Sequence, residues 1–352
     1  MKSHVLLLGR VLEDVSIQCC TSTTNDLNTI ISRVEDEGLS FLTITLPSFG
    51  RDFEKALDQK WVSPDLFLGF KRKRSLPAFV QGLTSQVFDS YSGALLGNPS
   101  IEAIQAVRQV CYLFKKLELP CTARRVSDAF DAFVQCDKEV GDRATLLSRT
   151  RFVRGDFERM SSLLFRNLLD EVDSKVYHGQ LVPKHGPGAT ADRVVANAKY
   201  DNRVWTERLE EFFYAGEYLY PSWSHYANDE TGPIFLEPED EQPVRVVGVP
   251  KTLKTPRIIG IEPVYNQYVQ QAIKEALVDG IEQDDFLTKI IGFTDQETNK
   301  TMACHGSFHL DLATLDLSEA SDRVSTQHVE WLLHHKTSLR GGVMACRSSK
   351  AE

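Results

Sequence analysis

Apolar residues recur every three or four positions through much of the first 180 residues, so this half is predicted to be mostly helical. A helix capped by Thr24 or Asn25 is expected through Leu27, Ile30, Ile31 and Val34. Another, from about Ser100 to Leu117, would bury Ile101, Ile104, Val107, Cys111 and Phe114. The clearest lies between Asp156 and Val176, with Met160, Leu164, Leu168, Val172 and Val176 on one face. Leu39 to Leu46 interrupts the pattern. Its second half is β-branched, which predicts a strand, broken by Pro47 and Gly50.

The texture changes from Leu181. Lys184 to Thr190 is a turn-rich loop, and Trp205 to Tyr218 is amphipathic. Asp229 to Glu241 is acidic and contains proline, so an exposed connection is expected. Strands are predicted at Val244 to Val249 and at Ile258 to Ile261, and a helix from about Asn266 to Leu277. Phe308 to Leu317 is predicted as a further strand, feeding a helix from near Ser318 to near His335. Strands interleaved with helices suggest an α+β or α/β core in this half.

Composition narrows the function classes. The 352 residues are 42% hydrophobic and 25% charged, as in ordinary globular proteins. No apolar run approaches the roughly 20 residues of a membrane helix. The seven cysteines are scattered without a Cys-x-x-Cys pair, which favours reduced thiols over a zinc finger or disulfide scaffold. The net charge of −9, taken alone, disfavours a general nucleic-acid binder. Between Pro243 and Ile261 that sign reverses: Arg245, Lys251, Lys254 and Arg257 stand without one acidic residue.

Three stretches carry candidate chemistry. Lys251, Lys254 and Arg257 recur every three residues across a hairpin loop, a pattern suited to a triphosphate, with arginine as a planar fork and lysine as a point charge. The plainer reading is a solvated basic turn. Asp316 ends an apolar run and precedes small residues, a recurrent position for a Mg²⁺ ligand. Asp322 needs a different task, and both aspartates could instead favour a helix dipole behind a Ser318 or Ser321 cap. Gly186 and Gly188 would let backbone approach a phosphate or a template strand, although the loop is no P-loop and an ordinary loop is the plainer reading. His305 and His309, four apart near Asp311, raise zinc. The segment reads as loop entering strand and no glutamate separates the histidines as His-Glu-x-x-His requires, so zinc is disfavoured.

Four segments in this order resemble the RNA-directed RNA polymerases (replicase catalytic subunits) of the small positive-strand RNA bacteriophages, the levivirus group. They are His185-Gly186-Pro187-Gly188-Ala189-Thr190, the run from Val249-Pro250-Lys251 to Glu262-Pro263, Asp295-Gln296 with Asn299, and Leu312 to Asp322. Weaker echoes occur at Leu76-Pro77 with Phe79 and from Gln109 to Leu119. The resemblance implies an α+β right-hand polymerase with fingers and a partial palm. It would divide the chain into a helical, fingers-supporting region (1–180), fingers with a nucleotide-entry loop (181–305) and the start of the palm (306–352), with the palm sheet incomplete and no thumb.

The resemblance also implies roles for residues. Asp316 would be the catalytic Mg²⁺ ligand, assisted by the Leu317 carbonyl. Asp322 would lie near the ribose of the incoming nucleotide, where the 2′-OH marks an RNA precursor. Lys251, Lys254 and Arg257 would neutralise the triphosphate, and Gly186, Gly188 and Thr190 would lie along the template or nucleotide path. Two Mg²⁺ ions would support attack of an RNA 3′-OH on the α-phosphate. Implied partners are template RNA, nucleoside triphosphates, host translation elongation factors Tu and Ts and a ribosomal protein, in the cytoplasm of an infected bacterium and without a membrane. No Gly-Asp-Asp turn occurs in the sequence, so the chain is expected to be an N-terminal part of such an enzyme, inactive alone. The alternative is a non-catalytic RNA-binding or interaction protein derived from a polymerase.

Overall fold

The computed structural model describes residues 2–148, 151–220 and 222–352. These form two compact units, one of Met1–Phe130 with Gly248–Ile258, the other of Asp131–Val247 with Ile259–Glu352.

The first unit is helical. It holds α1 (Lys2–Gln18), α2 (Thr24–Glu37), α3 (Leu46–Asp58), a tight hairpin of β1 (Arg72–Lys73) and β2 (Leu76–Pro77), α4 (Gln81–Thr84) and α5 (Ile101–Tyr112). α6 (Ala123–Ser148) begins here and continues into the second unit. The α2 cap is Thr23, one residue before the expected position, and its hydroxyl donates to the Leu12 carbonyl rather than capping the helix. α5 is capped by Ser100, whose Oγ accepts from Ala103 N. Val107, Cys111 and Phe114 are buried as expected, but Ile101 is exposed.

The strand predicted at Leu39 to Leu46 is not formed. Phe41–Thr45 is one π-helical turn running directly into α3. Pro47 does not break the helix because it stands in the first turn, where no N–H is required. Gly50 does not break it either: a Cβ there would sit 2.8 Å from the Tyr112 ring and 3.0 Å from Cys111, so the glycine allows close approach of α5. β-branched propensity gave way to an aromatic core in which Phe41 and Phe49 pack around Phe79.

The second unit centres on α7 (Arg151–Tyr177), with Leu168, Val172 and Val176 buried, whereas Met160 and Leu164 at its start stay exposed. The amphipathic stretch from Trp205 to Tyr218 is not a single element. It splits into β3 (Val204–Thr206) and the short helices α8 (Glu207–Glu210) and α9 (Ala215–Tyr218). The fully buried Trp205 indole donates to the Phe213 carbonyl at 3.0 Å, which holds the chain in this folded-back form. After α10 (Trp223–Asn228), the acidic stretch supplies β4 (Ile234–Leu236), which pairs in parallel with β3. That stretch is not wholly exposed: Glu241 is buried in an ion pair with Arg208.

β5 (Arg245–Val249) and β6 (Arg257–Ile261) form the expected hairpin, and the chain crosses between the two units within it. Residues 350–352 pair with the start of β5, through Val244 N to Lys350 O and Val246 N to Glu352 O. α11 (Val264–Gln283) is longer than predicted, and α12 (Leu287–Ile290) follows.

Phe308 to Leu317 is a second failed strand. Phe308 lies in the last turn of α13 (Glu297–His309), Leu310 takes a left-handed conformation, and residues 311–317 have no regular structure. A strand is stabilised by a ladder partner, and none among the described residues pairs with this stretch. The helix predicted from Ser318 starts later, as α14 (Thr326–Leu332) capped by Ser325, and α15 (Thr337–Ala345) packs on α7. No helix among the described residues is long and apolar enough to cross a membrane.

Candidate functional site

The glycine loop of the second unit is held from several sides. Lys199 is buried, and its Nζ donates to the carbonyls of Gly186 and Gly188, both at 2.6 Å. Thr190 is fully buried; its Oγ1 donates to Val194 O, and its carbonyl accepts from Arg245 Nη2 at 3.2 Å. Gln267 Nε2 donates to Ala189 O, and Ala191 N donates to Glu262 O. Lys184 pairs with Glu275. Arg245 and Glu262, which flank the basic loop in sequence, thus belong to the second unit and brace the glycine loop.

His185 belongs to the same framework. Its ring stacks on Tyr268 with centroids 4.2 Å apart and meets Tyr200 edge-on at 4.6 Å. Burial, with the Lys199 charge adding to it, pushes the imidazole down to about 4, so it is neutral at physiological pH. Gly186 and Gly188 have open space where a Cβ would be, and neither has positive φ. No contact within the described chain requires glycine at either position.

The basic loop belongs to the first unit. Lys251, Lys254 and Arg257 are all exposed. The backbone between them is fixed by α6 and the residues before it: Arg125 Nη1 donates to Leu253 O at 2.9 Å and Cys121 Sγ to Thr252 O at 3.1 Å. The carbonyls are thus engaged on one side while three cationic side chains project from a braced turn. Such a turn presents fixed positive charge to an anion.

Asp316 lies in the second unit on the irregular stretch after α13 and is exposed, as is Leu317. Asp322 is also exposed, and its Oδ1 accepts from Ser321 Oγ at 3.3 Å. Arg323, the next residue, bonds Glu319 at 2.8 Å and Glu139 of α6 at 3.2 Å, a surface tie of small energetic weight. Among the described residues, no group of three or more His, Cys, Asp or Glu could hold a metal ion. Mg²⁺ is commonly held by one or two carboxylates with water and substrate phosphates. The Asp316 carboxylate and Leu317 carbonyl are oxygen donors of the kind such an ion takes, and would make only part of a site.

His305 and His309 do not lie on a loop entering a strand, as the sequence suggested, but on α13. Their rings are 4.3 Å apart, and His305 Nε2 lies 3.1 Å from Asp311 Oδ2. Sequence reasoning also missed Lys199 and Tyr268. Nothing in the local pattern around Lys199 marks it, since its acceptors are backbone carbonyls more than ten positions away.

Residues 239–350 match the family described as RNA replicase, beta-chain. Over 89 residues the chain is 43% identical to the RNA-directed RNA polymerase subunit beta of Enterobacteria phage SP. Over the same length it is 40% identical to the protein of that name from Qbeta virus (strain MX1), and 42% to that from Escherichia virus Qbeta. Each alignment covers 25% of this chain and spans 14–15% of the relative's length. Over residues 239–350, the chain is similar to the RNA replicase beta-chain family.

Proposed function

We propose that the chain takes part in RNA-directed RNA synthesis. One observation carries this reading. The replicase match at residues 239–350 takes in the braced basic loop and both aspartates, Lys251, Lys254, Arg257, Asp316 and Asp322 together. In this reading the helix-rich fold with its small sheets is the fingers and partial palm of a right-hand polymerase. Its regions are those expected from the sequence, 1–180, 181–305 and 306–352.

Lys251, Lys254 and Arg257 receive the triphosphate, where negative charge builds up during transfer. Asp316, with the Leu317 carbonyl, supplies oxygen ligands, and Asp322 accepts from the nucleotide ribose. Mg²⁺, when bound, would neutralise the leaving pyrophosphate and favour ionisation of the attacking 3′-OH. The clamped loop of Gly186, Gly188 and Thr190 guides template or nucleotide with its backbone. Template RNA and nucleoside triphosphates are the proposed ligands, in an infected bacterial cell, with translation elongation factors Tu and Ts and a ribosomal protein as proposed partners. The 352 residues contain no Gly-Asp-Asp turn, and alone they are expected not to extend a primed RNA.

Photolabelling with azido-ATP tests the nucleotide site without requiring synthesis. Labelling of the chain should be stimulated by Mg²⁺. K251A/K254A should lower it about tenfold, the effect of losing roughly 1.4 kcal/mol of charge-assisted contact. Asp316→Asn should remove the Mg²⁺ stimulation and leave metal-free labelling in place. Labelling indifferent to both variants would overturn the proposal. A second reading, a non-catalytic RNA-binding protein, gains support from the basic loop being braced entirely within the first unit by Cys121 and Arg125. It predicts labelling that needs Lys251 and Lys254 but ignores Asp316. Extension of primed RNA by the chain, abolished by Asp316→Asn, would reject that reading and the expected inactivity together.

A further inference from the structure

The first unit contains a groove that neither the basic loop nor Asp316 uses. It has a volume of about 860 Å³, towards the upper end of the ~300–1,000 Å³ typical of ligand sites. One wall is the polar face of α2, where Asn25, Asn28 and Ser32 recur at helical spacing. The other wall is the start of the β1–β2 hairpin, with Lys71 and Lys73.

The charge around it is one-sided. Between Asp65 and Asp89 the sequence has Lys71, Arg72, Lys73 and Arg74 and no carboxylate. Arg72 is occupied internally, donating to the carbonyls of Ser63, Leu66 and Ser75. Among the described residues, no hydrogen bond or ion pair engages the side chains of Lys71, Lys73, Asn25, Asn28 or Ser32. The one carboxylate lining the groove, Asp26, is buried, and its Oδ1 accepts from Val80 N at 2.6 Å. It is turned to the protein rather than to a ligand.

The floor is aromatic. Phe70 and Phe79 stack at 5.3 Å, and the Arg33 guanidinium lies 5.1 Å from the Phe70 centroid. Phe79 is buried while Phe70 remains half-buried at the groove.

Cations for phosphates, with neutral amides and a hydroxyl for base edges and sugars, form a combination suited to single-stranded nucleic acid. An acidic peptide would have no need of the neutral amide face, and a lipid surface would call for exposed apolar side chains in place of it. We propose that this groove binds single-stranded RNA, as a site separate from the nucleotide-entry loop. Lys71 and Lys73 bind phosphates, and the α2 amides meet bases or 2′-hydroxyls above a floor of packed aromatic rings. The choice of RNA as the polyanion rests on the replicase reading.

Fluorescence anisotropy with a labelled oligouridylate tests this, using the whole chain without Mg²⁺ or nucleotides from 50 to 200 mM salt. Removing two phosphate contacts in K71A/K73A should reduce the slope of log affinity against log salt by about 1.4. Affinity at the lowest salt should fall about tenfold or more. N25A/N28A should weaken binding severalfold with the slope unchanged. All four side chains are exposed, so an unaltered melting curve should accompany these effects. Binding by K71A/K73A equal to that of the parent chain would overturn the proposal. So would dependence on Lys71 and Lys73 seen only with phosphatidylserine vesicles and not with RNA. The two proposals fail separately. An unaffected K71A/K73A alongside intact Mg²⁺-stimulated photolabelling removes the groove alone. Groove-dependent RNA binding without such labelling removes the polymerase reading alone.

Discussion

The glycine loop at 184–190 and the segment from Leu310 to Val324 both lack regular secondary structure, both belong to the second unit, and both contain candidate site residues. Their anchoring differs. The glycine loop is fastened by Lys199, Arg245, Gln267 and the His185–Tyr268 stack. The second segment exposes Leu310, Leu315 and Leu317, and its most distant tie is the surface pair Arg323–Glu139. A loop becomes a rigid part of a site when buried donors satisfy its carbonyls, because the alternative is an unpaired polar group out of water. The stretch around Asp316 has no such brace among the described residues, so a carboxylate placed there depends on what binds it.

Three variants press on that difference. The largest effect is expected from Lys199→Met, which leaves the Gly186 and Gly188 carbonyls without their buried donor. Unfolding in urea should show a loss of about 2 kcal/mol, moderated because Gly188 reaches solvent. A loss below about 0.5 kcal/mol would mean that the clamp is dispensable.

The next effect concerns pH. His185 titrates near 4 in the fold against an ordinary value of 6.5, so the unfolded chain binds the proton more readily between those values. Its stabilising contribution is complete above pH 6.5 and is lost as pH falls towards 4. His185→Phe keeps the stack on Tyr268 and removes the titration. Its stability should therefore vary less than the parent's across that window, and an unchanged slope would show that the ring does not report on the loop.

The smallest effect is expected at Asp316. Asp316→Asn should alter unfolding stability by less than about 0.5 kcal/mol, as for most exposed substitutions. In limited proteolysis, cleavage within residues 310–324 should precede cleavage within 184–190 in both the parent and this variant. Early cleavage in the glycine loop would erase the contrast between the two segments.

Much of the architecture was legible in the amino-acid order. The C-terminal parts of the α5 and α7 faces, the β5–β6 hairpin and the turn character of residues 184–190 follow from periodicity, glycine and proline. The two failed strands share a cause. Leu39 to Leu46 and Phe308 to Leu317 have strand-like side chains, but a strand is defined by its partner. In the first case an aromatic core offered more burial to a helix; in the second no described strand lies alongside. The Thr23 cap and the split at Trp205 were likewise settled by distant partners, Leu12 and Phe213 in its folded-back position.

By itself the sequence determined the positive charge of the loop from Lys251 to Arg257, the presence of Asp316 and Asp322, and the resemblance to a replicase. Each is carried by residues close together in the chain. Only the tertiary structure decided that Lys199 would lock the glycine loop, that Arg245 would brace Thr190, and that α2 and the hairpin would enclose a basic groove over Phe70. Those arrangements depend on burial and on backbone carbonyls, which every residue carries and no sequence motif distinguishes.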